Sequence, residues 1–370
     1  MKKVLTVLLC AVAAGTFAFA DDAAPAVAAA PAADAAPAVV SKFNTTVATG
    51  INYSAGNNSL TLGEKDPTWF GQDNNTSRVD FSGSLSYGDI GTKVTLRNQS
   101  YPSSNLASNF NVNYWTVRRA YAYDNFFDSK VQLQFGRVGN GDFSTSYEGD
   151  AAFDNGDIGG LITVKPIEGL EVGYLLPANY IANNSETTTD AGRLLTGSTV
   201  AASYAIPGIA TVQLWVRQFD NLAIVGNLEV TAVKNLDVTV EGYYNDPVDF
   251  GENGTLHFYE TANYTVGKFT PGIVVWQYLS SKSSTDLGFA ATPSIAYALT
   301  DKVSVAAEYT YSNKTEAVED RGSHGVTDAY SMIDAYVNYN FGKGSLQLKP
   351  GFDTAVGKGF FVNLSVVASL

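Results

Sequence analysis

Apolar and polar side chains alternate along most of the chain, in segments of about ten residues. In residues 235–246, NLDVTVEGYYND, the side chains of Leu236, Val238 and Val240 share one parity, and charged or hydroxyl side chains occupy the other. Alternation with a period of two predicts a β-strand that has one apolar face. Because the pattern recurs from Phe43 to the end of the chain, the sequence predicts an all-β fold.

Short turns join many of these predicted strands into antiparallel pairs. The clearest turns lie at Pro207-Gly208, Lys234-Asn235, Gly267-Lys268, residues 299–302 and residues 342–344. The segments between the pairs are longer and richer in Asn, Ser, Thr, Asp and Gly, most clearly at 55–76, 139–155, 178–196 and 313–326. One end of the sheet is therefore expected to have tight turns and the other long loops. We expect about 18 strands, or about 16 if the weakly patterned segments 156–165 and 221–233 merge with their neighbours.

The first 20 residues have the order of a secretory signal peptide: two lysines, an apolar stretch, then Ala18-Phe19-Ala20. Residues 21–41 are rich in Ala and Pro and are expected to form a periplasmic spacer, which leaves residues 42–370 for the folded domain. Cys10, the one cysteine of the chain, lies in the signal peptide, so the mature protein has no thiol. Removing Lys2 and Lys3 leaves 21 basic and 36 acidic residues, a net charge of −15, which disfavours a nucleic-acid partner.

The apolar strand faces could contact either the core of a soluble β-sandwich or lipid. A signal peptide, long strands and aromatic residues near the strand ends favour lipid. Backbone groups in lipid must all be paired, so such a sheet has to close. The predicted fold is an all-β, transmembrane, antiparallel up-and-down β-barrel of about 16 to 18 strands, with short periplasmic turns and longer extracellular loops.

Residues 117–143, VRRAYAYDNFFDSKVQLQFGRVGNGDF, resemble a stretch of Gram-negative porins in which an Arg-Ala-Tyr strand turns tightly into a Phe-Gly-Arg strand. The resemblance implies a multi-pass protein of the bacterial outer membrane, surrounded by its lipids, that assembles as a homotrimer. It further implies a water-filled channel for passive diffusion of small hydrophilic solutes and ions. In porins the third long loop folds into the barrel, and here that loop is 139–157, although the Pro-Glu-Phe-Gly-Gly string of the family is absent. Its acidic residues are Asp142, Glu148, Asp150, Asp154 and Asp157. A solvated acidic loop is the alternative for this segment.

Strand parity predicts a basic wall that faces this loop across the lumen. Val79, Val94 and Val117 are expected to face lipid, which directs the following basic side chains inward: Arg78, Lys93, Arg97 and Arg118. The same parity sends Tyr121 and Tyr123 outward. It also sends Arg119 toward lipid, where a charge costs roughly 2–4 kcal/mol and requires a rim position, a bulge or a subunit contact. Further inward charges are expected at Glu171, Arg217, Asp237, Glu241, Glu308 and Asp334.

Catalytic chemistry is not indicated. His257 and His324 have no recognisable partner motif, and FDNGDIGG lacks the spaced ligands of a calcium loop. The sequence therefore predicts no enzyme activity, no cofactor and no metal. Two alternatives to a diffusion channel remain: a surface structural or adhesive barrel, and a sugar-selective channel. The inward aromatic residues Trp215 and Tyr336 either contact the sugar in such a channel or only fill space, and the sequence does not distinguish these roles.

Overall fold

The computed structural model describes residues 38–56, 59–62, 77–100, 115–139, 143, 152–153, 158–178, 180–182, 186–188, 197–217, 223–245, 255–280, 288–313, 329–354 and 359–369. The predicted signal peptide and nearly all of the predicted spacer lie outside these residues. Among the described residues, no helix is long and apolar enough to cross a bilayer.

The described residues form β-strands joined by turns. In the first half of the chain the strands are β1 (Val39–Ser54), β2 (Ser59–Leu62), β3 (Ser77–Tyr87), β4 (Ile90–Ser100), β5 (Trp115–Phe126), β6 (Val131–Arg137), β7 (Ile158–Ile167), β8 (Leu170–Pro177), β9 (Tyr180–Ala182) and β10 (Glu186–Thr188). In the second half they are β11 (Thr199–Ile206), β12 (Ala210–Arg217), β13 (Ala223–Val230), β14 (Leu236–Asn245), β15 (Thr255–Tyr264), β16 (Phe269–Ser280), β17 (Gly288–Ala298), β18 (Val303–Ser312), β19 (Tyr330–Asn340), β20 (Gly344–Asp353) and β21 (Gly359–Ser369).

Each long strand pairs antiparallel with the next, and β21 pairs with β1, so the sheet closes into a barrel. The sheet contains 19 strands. One of them, β2, is a four-residue segment that pairs with the carboxyl end of β1, residues 51–54. The barrel therefore has 18 spanning strands, and β9 and β10 form a separate hairpin in a loop. The prediction of a closed antiparallel barrel is confirmed. Segments 156–165 and 221–233 hold separate strands, β7 and β13, so the count of 18 is correct.

Short and long links alternate around most of the barrel; the exception is at β13, whose two links, 218–222 and 231–235, have five residues each. The turns expected at Pro207-Gly208, Gly267-Lys268, residues 299–302 and residues 342–344 correspond to the links 207–209, 265–268, 299–302 and 341–343, which all join paired strands at one end. Longer links, such as the one from β18 to β19, join strands at the other end. At the short-turn end, Gly208 and Gly267 have φ angles of 69° and 59°, values that glycine adopts without steric cost. In bacterial barrels the short-turn end faces the periplasm.

β1 begins earlier than the sequence predicts, and it closes the barrel by pairing with both β3 and β21. Residues Val39–Ala48 pair with β3, and Thr46–Ser54 pair with β21. Three residues assigned to the spacer, 39–41, therefore pair with the barrel wall.

The outer face of the barrel is apolar. Leu214, Phe135 and Ile333 are between 53% and 62% exposed, and their sequence neighbours on the opposite parity are much more buried. Near the short-turn end, the rings of Phe269 and Tyr297 lie 4.7 Å apart on this outer face. An apolar band with aromatic residues at its edge is the surface that a membrane-spanning barrel presents to lipid.

Candidate functional site: the inner wall of the barrel

A β-bulge in β5 determines which arginines face the lumen. Leu96 pairs with Val117, but the preceding residue, Thr95, pairs with Arg119, so Arg118 is the extra residue of the bulge. From Arg119 onward the parity of β5 is reversed, because directly opposed residues share a face. The expectation that Arg119 faces lipid is therefore wrong: it lies opposite Thr95 on the inner face.

The two tyrosines that follow the bulge are also inside, in contrast to the prediction. Tyr121 lies opposite Lys93 and packs against buried residues of the inner wall. Tyr123 lies opposite Gly91, whose missing side chain leaves room for the Tyr123 ring. The bulge thus moves one cation and two aromatic rings from the lipid face to the lumen.

Four cationic residues belong to successive cross-strand pairs on the inner face of β3, β4 and β5. Arg78 is opposite Gln99; two residues further along, Arg97 is opposite Asp80. In the next inward pair Arg119 is opposite Thr95, and in the last pair Lys93 is opposite Ser84. Successive inward pairs, two residues apart, are separated by about 7 Å along a strand. We call this set, Arg78, Arg97, Arg119 and Lys93, the basic row.

Arg97 of the basic row is paired with Asp80. Arg97 donates two hydrogen bonds to the Asp80 carboxylate, Nε to Oδ1 at 2.6 Å and Nη2 to Oδ2 at 2.9 Å. This bidentate arrangement fixes the guanidinium plane. In contrast, Nε of Arg78 is buried and has no hydrogen-bond partner within the described ranges. The basic row and the Asp80 carboxylate together carry a formal charge of +3.

A buried acidic residue, Glu241, lies on the wall that faces the basic row. Glu241, on β14, lies eight barrel strands away from β4, close to the opposite side of an 18-strand ring. Its carboxylate is buried and accepts a hydrogen bond from Asn227 Nδ2 at 3.2 Å. Opposed fixed charges across a lumen create a transverse field that acts on the charge and dipole of a solute.

A second charged cluster lies on the inner face of β18, β19 and β20. Lys349 Nζ is 3.4 Å from Glu308 Oε2 and 3.2 Å from Asp334 Oδ1. Tyr336 donates a hydrogen bond to Glu308 Oε1 at 3.1 Å, and the Lys349 ammonium lies 5.6 Å from the centre of the Tyr336 ring. The inward prediction for Glu308, Asp334 and Tyr336 is confirmed by this packing.

The chain leaves the barrel wall partway along β5. Arg137, the last residue of β6, pairs with Ala120, so β5 extends five residues, about 17 Å, beyond this point. The following residues, Val138 and Gly139, are buried, and Gly139 N donates a hydrogen bond to the side-chain oxygen of the inward Gln134 at 3.4 Å. The segment between β6 and β7 therefore starts on the inside of the barrel.

An apolar patch on the inner wall is the main feature that the sequence reading missed. It is formed by Leu161, Leu175, Ala201, Trp215 and Val225, all buried, from five neighbouring strands. Phe143 and Phe153, from the segment between β6 and β7, are fully buried against this patch. The predicted inward position of Trp215 is correct, and Trp215 belongs to the same buried cluster as Phe143 and Phe153.

Several predicted residues lie outside the described part of the chain. They are the loop acids Asp142, Glu148, Asp150, Asp154 and Asp157, and also His324. The side chains of Arg217 and His257 are likewise outside the described set. Within the described residues, no group of three His, Cys, Asp or Glu side chains is arranged to hold a metal ion.

No protein-family model matches the chain, and no curated protein matches it by sequence. Its fold is similar to solved porin structures. A BenF-like porin from Pseudomonas fluorescens Pf-5 aligns with a TM-score of 0.57 and 11% identity, covering 89% of this chain and 98% of that one. OpdK from Pseudomonas aeruginosa, solved with vanillate, gives the same values. OccK2 (OpdF) from Pseudomonas aeruginosa, in complex with glucuronate, has a TM-score of 0.53 and 11% identity over 89% and 98%.

These structures share the architecture described above, over nearly their whole lengths. The chain therefore has the fold of outer-membrane porins, a closed 18-strand antiparallel barrel, which is the form of a multi-pass protein of the bacterial outer membrane.

Proposed function

We propose that the chain forms an outer-membrane channel for passive diffusion of small hydrophilic solutes and ions, with a preference for small anions such as carboxylates, and that it is not an enzyme. The basic row carries this proposal. Four cations spaced about 7 Å apart along the lumen offer an anion successive favourable positions without a single deep binding site. Conduction requires such weak, repeated binding.

The polarity of the neighbouring inner wall supports a hydrated path. Beside the basic row, β3 presents Ser82, Ser84 and Ser86 to the lumen, and Ser82 Oγ shares a hydrogen bond of 3.1 Å with Thr95 Oγ1. Hydroxyl groups replace part of the hydration shell of a passing solute. Two structures with a similar fold, OpdK and OccK2, were solved with the carboxylates vanillate and glucuronate, in agreement with an anionic solute class for such barrels.

The test compares an anionic solute with a neutral solute of the same size. Proteoliposomes containing the refolded protein are placed in isotonic glucuronate or glucose, and swelling is followed by light scattering. We expect faster entry of glucuronate, and loss of this difference in an Arg97→Gln, Arg119→Gln double variant. Equal entry of both solutes into wild-type vesicles would leave a general diffusion channel and contradict the anion preference.

A surface structural or adhesive barrel is the second candidate function. The apolar patch favours this candidate, because bulky packed side chains inside a barrel reduce the lumen. The buried wall residues of the patch lie on β7, β8 and β11–β13, however, and among the described residues of the basic-row strands only Tyr121 of β5 packs against them. A folded barrel that admits neither glucose nor glucuronate would favour this candidate.

We further propose that the channel is a homotrimer whose subunit contact includes β15 and β16. Glu260 lies opposite Val240 and Val275 on the outer face, in the middle of β15. Gln277 Nε2 donates to both of its carboxylate oxygens, at 3.2 and 3.1 Å. A carboxylate is unfavourable at this depth in lipid, and polar side chains in membranes stabilise protein contacts.

The oligomer proposal is tested by the mass of the detergent-extracted protein and by cross-linking in outer membranes. We expect a trimer for the wild type and dissociation for Glu260→Leu. Tyr309→Phe is the matched control, because it removes a hydroxyl from the outer face of β18, where it is 3.0 Å from Ser331 Oγ. A monomeric wild type, or a Glu260→Leu variant that remains trimeric, would refute the proposed contact.

A further inference from the structure

Two phenylalanines, ten residues apart in the sequence, form one packed unit on the inner wall. The ring centres of Phe143 and Phe153 are 5.2 Å apart, with an angle of 84° between the rings, and both side chains are fully buried. Ala152 N donates a hydrogen bond of 3.0 Å to the carbonyl oxygen of Phe143. Phe143 therefore lies next to both Ala152 and Phe153. We call Phe143 and Phe153 the aromatic pair.

The wall beneath the aromatic pair is built from the smallest residues. Gly173 and Ala201 are directly opposed on β8 and β11, and Leu161, Leu175 and Trp215 surround them on the inner face. A β-carbon built at Gly173 would lie 2.5 Å from Cε2 of Phe153 and 3.3 Å from Cε2 of Phe143. Glycine at 173 therefore creates the space that the Phe153 ring occupies, since no larger residue fits without displacing the ring.

Glycine at 173 is not explained by backbone conformation. Its φ angle is outside the left-handed region, unlike that of Gly169 in the preceding turn, which has a φ of 80°. A glycine within a strand weakens the strand unless a close approach requires it. The close approach here is that of the aromatic pair.

We propose that Gly173 is a positioning residue for conduction. By accepting the aromatic pair, it holds Phe143, Ala152 and Phe153 against the inner wall and so sets how far these three residues narrow the lumen. The inference rests on the proposed channel function. It assigns the width of the lumen to an apolar contact on β8 and β11 and not to the charged residues of the basic row.

The chain provides a matched control for a substitution at Gly173. Gly226 also lies within a strand, but it faces outward, and a β-carbon built there would have no atom within 4 Å. Gly173→Ala and Gly226→Ala therefore add the same methyl group to a β-strand. Only the first addition collides with the aromatic pair.

Single-channel recording in planar bilayers tests the effect on conduction. We expect Gly173→Ala to increase open-channel noise and to produce sublevels absent from the wild type, because the pair no longer fits its position. Gly226→Ala should give wild-type currents. Adding Phe153→Leu to Gly173→Ala removes the ring atoms that collide and should restore steady currents. Wild-type currents in Gly173→Ala, or failure of the second change to restore them, would overturn the proposal.

A labelling experiment separates the position of the pair from the channel function. Cys10 is the only cysteine of the full chain, so Ala152→Cys in the protein that starts at residue 21 has a single thiol. Ala152 is 1% exposed, so a hydrophilic maleimide should react slowly with this thiol. We expect Gly173→Ala to speed the reaction by about tenfold through local opening, and Gly226→Ala to leave it unchanged.

An unchanged labelling rate in Gly173→Ala would refute the positioning role even if the channel conducts. Faster labelling in a barrel that carries no current would instead retain the contact and reject its effect on conduction, together with the proposed channel.

Discussion

Replacing Arg119 with glutamine should make the channel less selective for anions. The structure places Arg119 on the inner face through the β5 bulge, whereas uninterrupted alternation places it in lipid. A position in lipid and a position in the lumen have different consequences for the variant. A lipid-facing arginine would affect insertion and stability, whereas a lumen-facing arginine affects the ions that pass.

The magnitude follows from Coulomb's law in a water-filled lumen. A unit charge about 7 Å from a passing ion contributes about 0.6 kcal/mol at the dielectric constant of water. Salt at 0.1 M reduces this to about 0.3 kcal/mol. This interaction energy is favourable for anions and unfavourable for cations, so removing the charge changes the ratio of anion to cation permeability by about threefold. In a tenfold salt gradient across an otherwise unselective pore, this ratio corresponds to a reversal-potential shift of about 20 mV.

The assay is the reversal potential of single channels in planar bilayers, compared between Arg119→Gln and Arg137→Gln. Arg137 lies opposite Ala120 and Ile158 on the outer face, where its Nε donates to the carbonyl oxygen of Arg118 at 3.2 Å. The same chemical change at Arg137 should leave the reversal potential unaltered. At 1 M salt, where screening acts over about 3 Å, the Arg119→Gln shift should nearly vanish. Equal shifts in both variants, or none in Arg119→Gln, would refute the placement of Arg119 in the lumen.

Three further outcomes are expected. The double variant Asp80→Asn, Arg97→Gln removes both charges of the ion pair and should leave ion selectivity close to wild type. Asp80→Asn alone should increase anion selectivity, and reversal potentials measure both effects. Lys349→Met should destabilise the barrel by about 3 to 5 kcal/mol, because Asp334 and Glu308 lose their cation, and Lys349→Arg should not; unfolding in urea measures the difference. Leu161→Ala should cost about 2 to 5 kcal/mol by leaving a cavity beside the aromatic pair, measured by the same unfolding assay.

The barrel was predictable because its determinants are local. Every two-residue alternation identifies a strand, and turns such as Pro207-Gly208 identify which strands pair. Closure follows from the requirement that backbone groups in lipid be paired. These features depend on residues close together in the sequence, so no long-range information was needed.

The orientation of Arg118 and Arg119 was not predictable in the same way. Parity carries along a strand only while the alternation is uninterrupted, and one extra residue reverses it for the remainder of the strand. The sequence RRAYAY does not mark where the insertion occurs. The energetic cost of placing Arg119 in lipid indicated that the alternation is interrupted or that the charge is shielded. A bulge removes this cost, but a rim position or a subunit contact would have removed it equally.

The apolar patch left a signal in the sequence that period-two alternation obscures. Residues 161–162, 175–176, 214–216 and 223–225 are apolar on both parities. Strands that are buried on both faces have such continuous apolar runs. In a barrel the outer face is already explained by lipid, so an apolar inner face predicts that another part of the chain covers it. The identity of that part, Phe143 and Phe153, depends on a contact between distant residues.

The central claim is that this barrel conducts, and single-channel conductance of the refolded protein from residue 21 onward, in planar bilayers under a salt gradient, tests it most directly. We predict stepwise ohmic currents at the nanosiemens scale, in groups of three for a trimer, with a reversal potential on the anion-selective side. A protein that inserts as a folded barrel and carries no current would contradict the account.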